Sequence, residues 1–240
     1  MVPFAEIYAR AAERKGGTDK LEALLGTPLS RDEVARIPDD RILAEMTKRI
    51  FSAGFVWSVI EAKWPGFEEA FLGFDPNRLL FQPEDYWHDL TSDSRIVRHG
   101  QKIMAVHYNV RFVADVAAEH GSFGRFLASW PADDLVGLFE VLAKRGKRLG
   151  GKTGQYLVRF LGMDGFVVSG DVAACLRDAG LDIAETPTSK KDLAKVQAQF
   201  NAWAKESGRP LTHISRIAAM SIGPNYDTER LSAYAGGETE

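Results

Sequence analysis

The chain has 240 residues, 45% hydrophobic and 26% charged, and its 30 Lys and Arg against 33 Asp and Glu leave a formal net charge of -3. That composition describes a globular chain able to bury roughly 70–75% of its unfolded surface, and it excludes a disordered, collagen-like or disulfide-stapled protein. The one cysteine, Cys175, excludes an internal disulfide and a zinc site of paired thiolates, and it fits a reducing, cytoplasmic setting. With no signal-peptide core and no run of about 18 apolar residues, the chain is expected neither to be exported nor to span a membrane. No Gly/Ser-rich or Pro-rich linker divides it, so it reads as one helical domain over 1–240, with room for two lobes.

Apolar residues recur at three- and four-residue spacing with helix stop signals between the periodic stretches, which predicts an all-α fold. The run from Asp39 to Lys63 predicts one long helix beginning after Pro38 and stopping near Trp64-Pro65. Asp75-Pro76 is a cap and first-turn pair, Pro83 opens a turn through Trp87, and Gly100 to Glu119 supplies a further helix. Pro131 predicts the start of another, with Asp133 and Asp134 in its first turn, Lys144 and Arg145 in its last, and Gly146 as its stop. A helix from Thr153 to Met163 follows at once. The apolar FVV then leads to Ser169-Gly170-Asp171 and a helix ending before Gly180. Ser189 with Asp192 forms a capping box for a helix reaching Glu206, and Pro210 opens the last. The polar tail 224–240 is expected to fray.

Between Leu142 and Phe160 stand Lys144, Arg145, Lys147, Arg148, Lys152 and Arg159 and no acid, so an acidic chain concentrates positive charge at one turn. Gly150, Gly151 and Gly154 allow close backbone approach, and the amides opening a helix near Thr153 present donors and a positive dipole end to an anion. A nucleic-acid phosphate fits that arrangement. The competing reading is a solvated turn whose cations complement a helix C-terminus.

LAKRG followed by LGGKTGQYLVRF and VVSGDV resembles the helix-hairpin-helix DNA glycosylase superfamily. AGFVWSVIEAKWPGFEEAF, the FDP after it and SRIVRHGQKIMAVHYNVRFV are similar in order and spacing to its 3-methyladenine DNA glycosylase I branch. The resemblance implies a helix-hairpin-helix near 131–163 that binds double-stranded DNA through Lys147, Arg148, Gly150, Gly151, Lys152, Thr153 and Gly154. It further implies hydrolysis of the bond between an alkylated purine, such as 3-methyladenine, and its sugar after the nucleotide is flipped out. No cofactor and no obligate protein partner is implied. The alternative is a non-catalytic DNA-binding or damage-recognition protein that retains the fold.

For the base pocket the resemblance points to Trp57, a core tryptophan otherwise, with Phe51 and Phe55 offered by the same stretch and Trp64, Tyr86 and Trp87 ranked lower. The branch's base-reading glutamate aligns with Arg49, which leaves Glu45, one helical turn earlier, as its substitute. The branch's zinc site of cysteines and histidines has no counterpart, and His88, His107, His120 and His213 have no ligand spacing, so no metal is expected. The superfamily's carboxylate near the anomeric carbon aligns with Asp171 in one register and with Ser169 in another. Asp171 is preferred because it carries charge, against a helix-capping role for either residue. Lys152 lies near the position of the amine nucleophile in lyase-type relatives, and a monofunctional hydrolase is expected.

Overall fold

The helix boundaries follow largely from local chemistry. Ser30 and Glu33 form a capping box at one start, and the Asp75, Ser122 and Ser189 side chains each accept a bond from an amide of the turn they open. Gly16, Gly121 and Gly208 close three helices in left-handed backbone, at φ 80°, 85° and 68°. In the computed structural model these signals delimit fourteen α-helices and no strand among the described residues, 1–226. From residue 227 onward the tail expected to fray lies outside them.

The contacts fall into two units. One comprises Met1–Pro28, Pro131–Gly137 and the chain from Asp164 onward. It holds α1 (Phe4–Lys15), α2 (Thr18–Ala23), α12 (Gly170–Asp178), α13 (Lys190–Ser207) and α14 (Leu211–Met220). Its core includes Phe4 beside Trp203, with ring centroids 5.7 Å apart, and Phe166 stacked on Phe200 at 4.4 Å. The apolar stretch Phe166–Val168 is buried irregular backbone, and irregular backbone needs outside partners. Those partners come from α14: the Thr212 hydroxyl accepts from the Gly165 amide and the Ser215 hydroxyl from the Val167 amide. In return the Asp164 carboxylate accepts from the Leu211 and Thr212 amides, capping α14.

The other unit comprises Leu29–Trp130 and Leu138–Met163. It holds α3 (Arg31–Ala35), α4 (Asp39–Ser52), α5 (Trp57–Ala70), α6 (Pro76–Leu80), α7 (Glu84–Asp89), α8 (Gly100–His120), α9 (Phe123–Ser129), most of α10 (Leu135–Arg145) and α11 (Lys152–Phe160). Phe67, Phe71 and Phe74 stack in series beneath Trp64, and Trp87 lies fully buried against His107 at 4.4 Å.

Two boundaries depart from the expected pattern. The single helix expected over 39–63 is a broken pair: α4 ends at Ser52, Gly54 takes φ +76°, and α5 starts at Trp57 and continues past Pro65 to Ala70. The break is held from α8, where the buried Lys102 ammonium donates to the carbonyls of Phe51 and Ala53 at 3.0 and 2.6 Å. Pro65 sits inside α5 because the ring series from Trp64 to Phe74 anchors both sides of it. The second departure is at α10. Asp133 and Asp134 precede it, and the Asp134 carboxylate caps it by accepting from the Gly137 amide.

Candidate functional site

α4 carries Glu45 and Arg49 one turn apart on the same face. Glu45 Oε1 and Arg49 Nε approach to 2.6 Å. Arg49 is 5% exposed, and its guanidinium carbon lies 3.9 Å from the Phe160 ring centroid and 4.9 Å from that of Trp57. Trp57, the first residue of α5, is half-buried and meets Tyr156 and Phe160 of α11 edge-on, with centroids 6.0 and 5.7 Å apart. A delocalised cation against two ring faces is a favourable arrangement, because each face carries the negative side of the ring quadrupole. Beside it a second pair, Lys48 and Glu61, closes at 2.6 Å.

Burial sets the titration of this cluster. It pushes the Glu45 carboxyl up against the opposing pull of Arg49 and Lys48, and the Arg49 guanidinium down against the pull of Glu45. The close approach of the pair does not complete their hydrogen bonding. Glu45 Oε1, Arg49 Nε and Arg49 Nη1 are all buried without a hydrogen-bond partner.

Of the residues expected to form a base pocket, the fold thus brings together Trp57, Arg49 and Glu45. Phe55, 39% exposed in the turn between α4 and α5, leans instead on His99 and on the Lys102 ammonium, 4.5 Å from its ring centroid. Phe51 belongs to the core, fully buried against Phe67 at 4.8 Å, because the break after Ser52 turns it inward. Trp87 is core as well, and Trp64 is stacked on Phe67 and Phe74. Tyr156 and Phe160, the ring partners of Trp57, were not singled out. Their four-residue spacing on the basic, glycine-containing helix is the signal that marks them.

The basic turn runs from Arg145 to Lys152. Lys147, Arg148, Gly150, Gly151 and Lys152 are exposed and Thr153 half-buried. Arg148 occupies left-handed backbone at φ 60°, a conformation that costs a non-glycine residue on the order of 1 kcal/mol, and its guanidinium donates to Gln101 Oε1 at 2.6 Å. Gly151 caps α11 at φ 59° with open space where a side chain would be. Its missing Cβ therefore leaves the first amides of α11 approachable. Gly154 differs from the expectation of ligand approach: it is buried, and a Cβ there would overlap the Leu149 carbonyl, so this glycine serves the turn's own packing.

Asn109 was missed by sequence reading. It is fully buried on α8, and its side-chain amide grips the turn from below: Oδ1 accepts from the Lys147 amide at 2.7 Å and Nδ2 donates to the Lys147 carbonyl at 3.1 Å. An asparagine in a helix interior carries no sequence mark of such a role. Beside the turn, a groove of about 590 Å³ between α8 and α10 is lined by Tyr108, Phe112, Val141, Arg111, Lys144 and Arg145, with Asp115 the acid among them.

Ser169 and Asp171 lie in the other unit, at the start of α12. Ser169 caps this helix, its hydroxyl accepting from the Val172 amide at 3.2 Å. Asp171, half-buried in the first turn, holds its carboxylate against Gly223, where a Cβ would overlap it. Capping is thereby assigned to the serine, and the aspartate charge is not consumed by it.

The family described as methyladenine glycosylase matches residues 34–171 of this chain, more than half of it. The chain belongs to that family. It is accordingly a DNA glycosylase, a hydrolase acting on DNA, with an all-helical fold among its described residues. The matched segment contains Glu45, Arg49, Trp57, the basic turn and α11, and it ends at Asp171. The chain is also similar to a crystal structure of 3-methyladenine DNA glycosylase I, at 21% identity and a TM-score of 0.46 over 57% of this chain and 81% of that one. No curated protein matches it significantly. Among the described residues no group of His, Cys, Asp and Glu is arranged to hold a metal ion, and no helix is long and apolar enough to cross a membrane.

Proposed function

We propose that this glycosylase is monofunctional and releases an alkylated purine such as 3-methyladenine from duplex DNA, after the nucleotide has been flipped out of the stack. The observation that carries the reading is the Trp57 cluster. A half-buried tryptophan, walled by Tyr156 and Phe160 and backed by a charged pair, offers a stacking face beside polar atoms able to read a base. Stacking on such a ring is worth about 1–3 kcal/mol per base, comparable with the few kcal/mol that extrusion of a damaged base costs.

The exposed Lys147, Arg148 and Lys152, with the open amides at the start of α11 behind Gly151, are assigned to backbone phosphates, which they would hold without regard to sequence. Asp171 is assigned the chemical step. An ionised carboxylate stabilises the positive charge that develops on the sugar as the bond to the base breaks, and it orients the water that replaces the base. A base that already carries positive charge is a good leaving group and needs little protonation, which fits a site with no general acid beside Trp57 other than the partnered Glu45.

Incubation of methylated duplex DNA with the purified protein tests this directly. Free 3-methyladenine should appear, leaving an abasic site whose strand breaks only after alkali. Tight binding of methylated DNA without base release would identify a damage-recognition protein instead, and strand scission without alkali would bring an amine nucleophile such as Lys152 into the chemistry.

A further inference from the structure

Glu45 and Arg49 form an unusual couple for a buried ion pair. Although Oε1 and Nε stand 2.6 Å apart, no hydrogen bond is completed, and Glu45 Oε1, Arg49 Nε and Arg49 Nη1 all remain buried without a hydrogen-bond partner. Buried polar groups are normally paired, because leaving one unpaired forfeits its hydration with nothing in return. Three such atoms on two adjacent side chains, beside the Trp57 and Phe160 rings, are unfinished in a way that an added ligand edge would complete.

The chemistry of that edge follows from the couple. Glu45 supplies an acceptor and Arg49 a donor, side by side, which is the pattern a carboxamide uses to read the N6 amine and N7 of adenine together. A guanine edge presents two acceptors, O6 and N7, and would set O6 against the carboxylate. The neighbouring Lys48 and Glu61 are paired with each other at 2.6 Å and so leave the couple's polarity in place. We infer that the Glu45–Arg49 couple is the specificity determinant of this glycosylase, with Glu45 accepting from the exocyclic amine of an adenine-type base on Trp57 and Arg49 donating to its ring nitrogen. The inference rests on the placement of the flipped base at Trp57 proposed above.

The test uses methylated duplex DNA that carries both 3-methyladenine and 3-methylguanine, with release of each base measured as a rate and divided by its spontaneous rate. The wild-type protein should favour the adenine product. Glu45→Gln, whose amide can turn to donate to O6, should move the ratio toward guanine, and Arg49→Met should lower it on the order of tenfold. Because removal of one member of a buried pair can unfold a protein, the double variant Glu45→Leu/Arg49→Met is the control for folding: apolar residues of similar volume commonly replace such a pair without loss of stability. Its ratio should fall to near unity while the thermal midpoint holds.

A merely structural pair predicts otherwise. Both bases would then be released more slowly in proportion to the folded fraction, and an unchanged ratio in the folded double variant overturns the inference while leaving the glycosylase reading intact. A wild-type protein that favours 3-methylguanine overturns it as well. If the wild-type protein releases neither base, the placement of the base at Trp57 falls, and this inference with it.

Discussion

Asn109 holds Lys147 by both of its backbone groups, accepting from its amide and donating to its carbonyl, from a fully buried position on α8. The turn that carries the exposed cations is therefore fixed by one uncharged side chain beneath it, and the cations above it need no structural partners of their own.

Asn109→Ala would leave both Lys147 backbone groups unpaired, at a cost of about 1–3 kcal/mol. For a chain of this size each kcal/mol moves the melting temperature by about 2–4 °C. Hydrogen exchange should show the Lys147 amide losing protection before the core amides of α8 do. Equal loss of protection throughout would mean that the clamp has no local role.

Charge reversal at Lys147 and Arg148 should weaken binding to all duplexes about equally and flatten the dependence of affinity on salt, since phosphate contacts carry no sequence information. Melting temperature should hardly change, because both side chains are exposed. Titrations at several salt concentrations, on damaged and undamaged duplexes, measure both slopes. Unaltered slopes would reduce the cluster to a solvated turn.

Trp57→Ala separates a stacking role from a packing one. Loss of a base-stacking platform should cut base release on the order of tenfold or more while leaving affinity for undamaged duplex in place. A core tryptophan predicts a loss of about 3–5 kcal/mol of stability, with activity tracking only the folded fraction. The ring is half-buried, so the first pattern is expected.

Asp171→Asn keeps the shape that fits against Gly223 and removes only the charge. Ser169 already caps α12, so stability should fall by less than about 1 kcal/mol. If the carboxylate stabilises charge on the sugar, single-turnover release of a methylated base should slow on the order of 10²–10³ with DNA affinity retained. A rate within a few-fold of wild type would move the chemistry elsewhere.

Lys102 makes stability pH-dependent in the alkaline range. Burial, with the neighbouring Arg148 charge, brings its ammonium down from 10.5 to about 8. Between those values the unfolded chain binds the proton and the folded one does not, so stability rises with pH across this window. The contribution is complete above 10.5 and is lost as pH falls through about 8. Lys102→Met should abolish this slope, and melting temperatures of the two proteins between about pH 7 and 10 give the difference.

Much of the helical framework is written in short stretches of sequence. A cap such as Asp75 before Pro76, Ser189 three residues before Asp192, or a stop at Gly146 acts on backbone groups within one turn, so the residues that decide it are neighbours in the chain. The concentration of cations between Leu142 and Phe160 is legible for the same reason. Tertiary structure decided what depends on partners far away in sequence. The break between α4 and α5 is held by Lys102, Pro65 is carried within a helix by its stacked aromatic neighbours, and the basic turn rests on Asn109. The same holds for the cluster in which Glu45, Arg49 and Trp57 meet Tyr156 and Phe160 of α11. Burial and pairing of this kind arise only when separate helices pack, because a side chain's environment, unlike its cap, is made by residues its own helix does not contain.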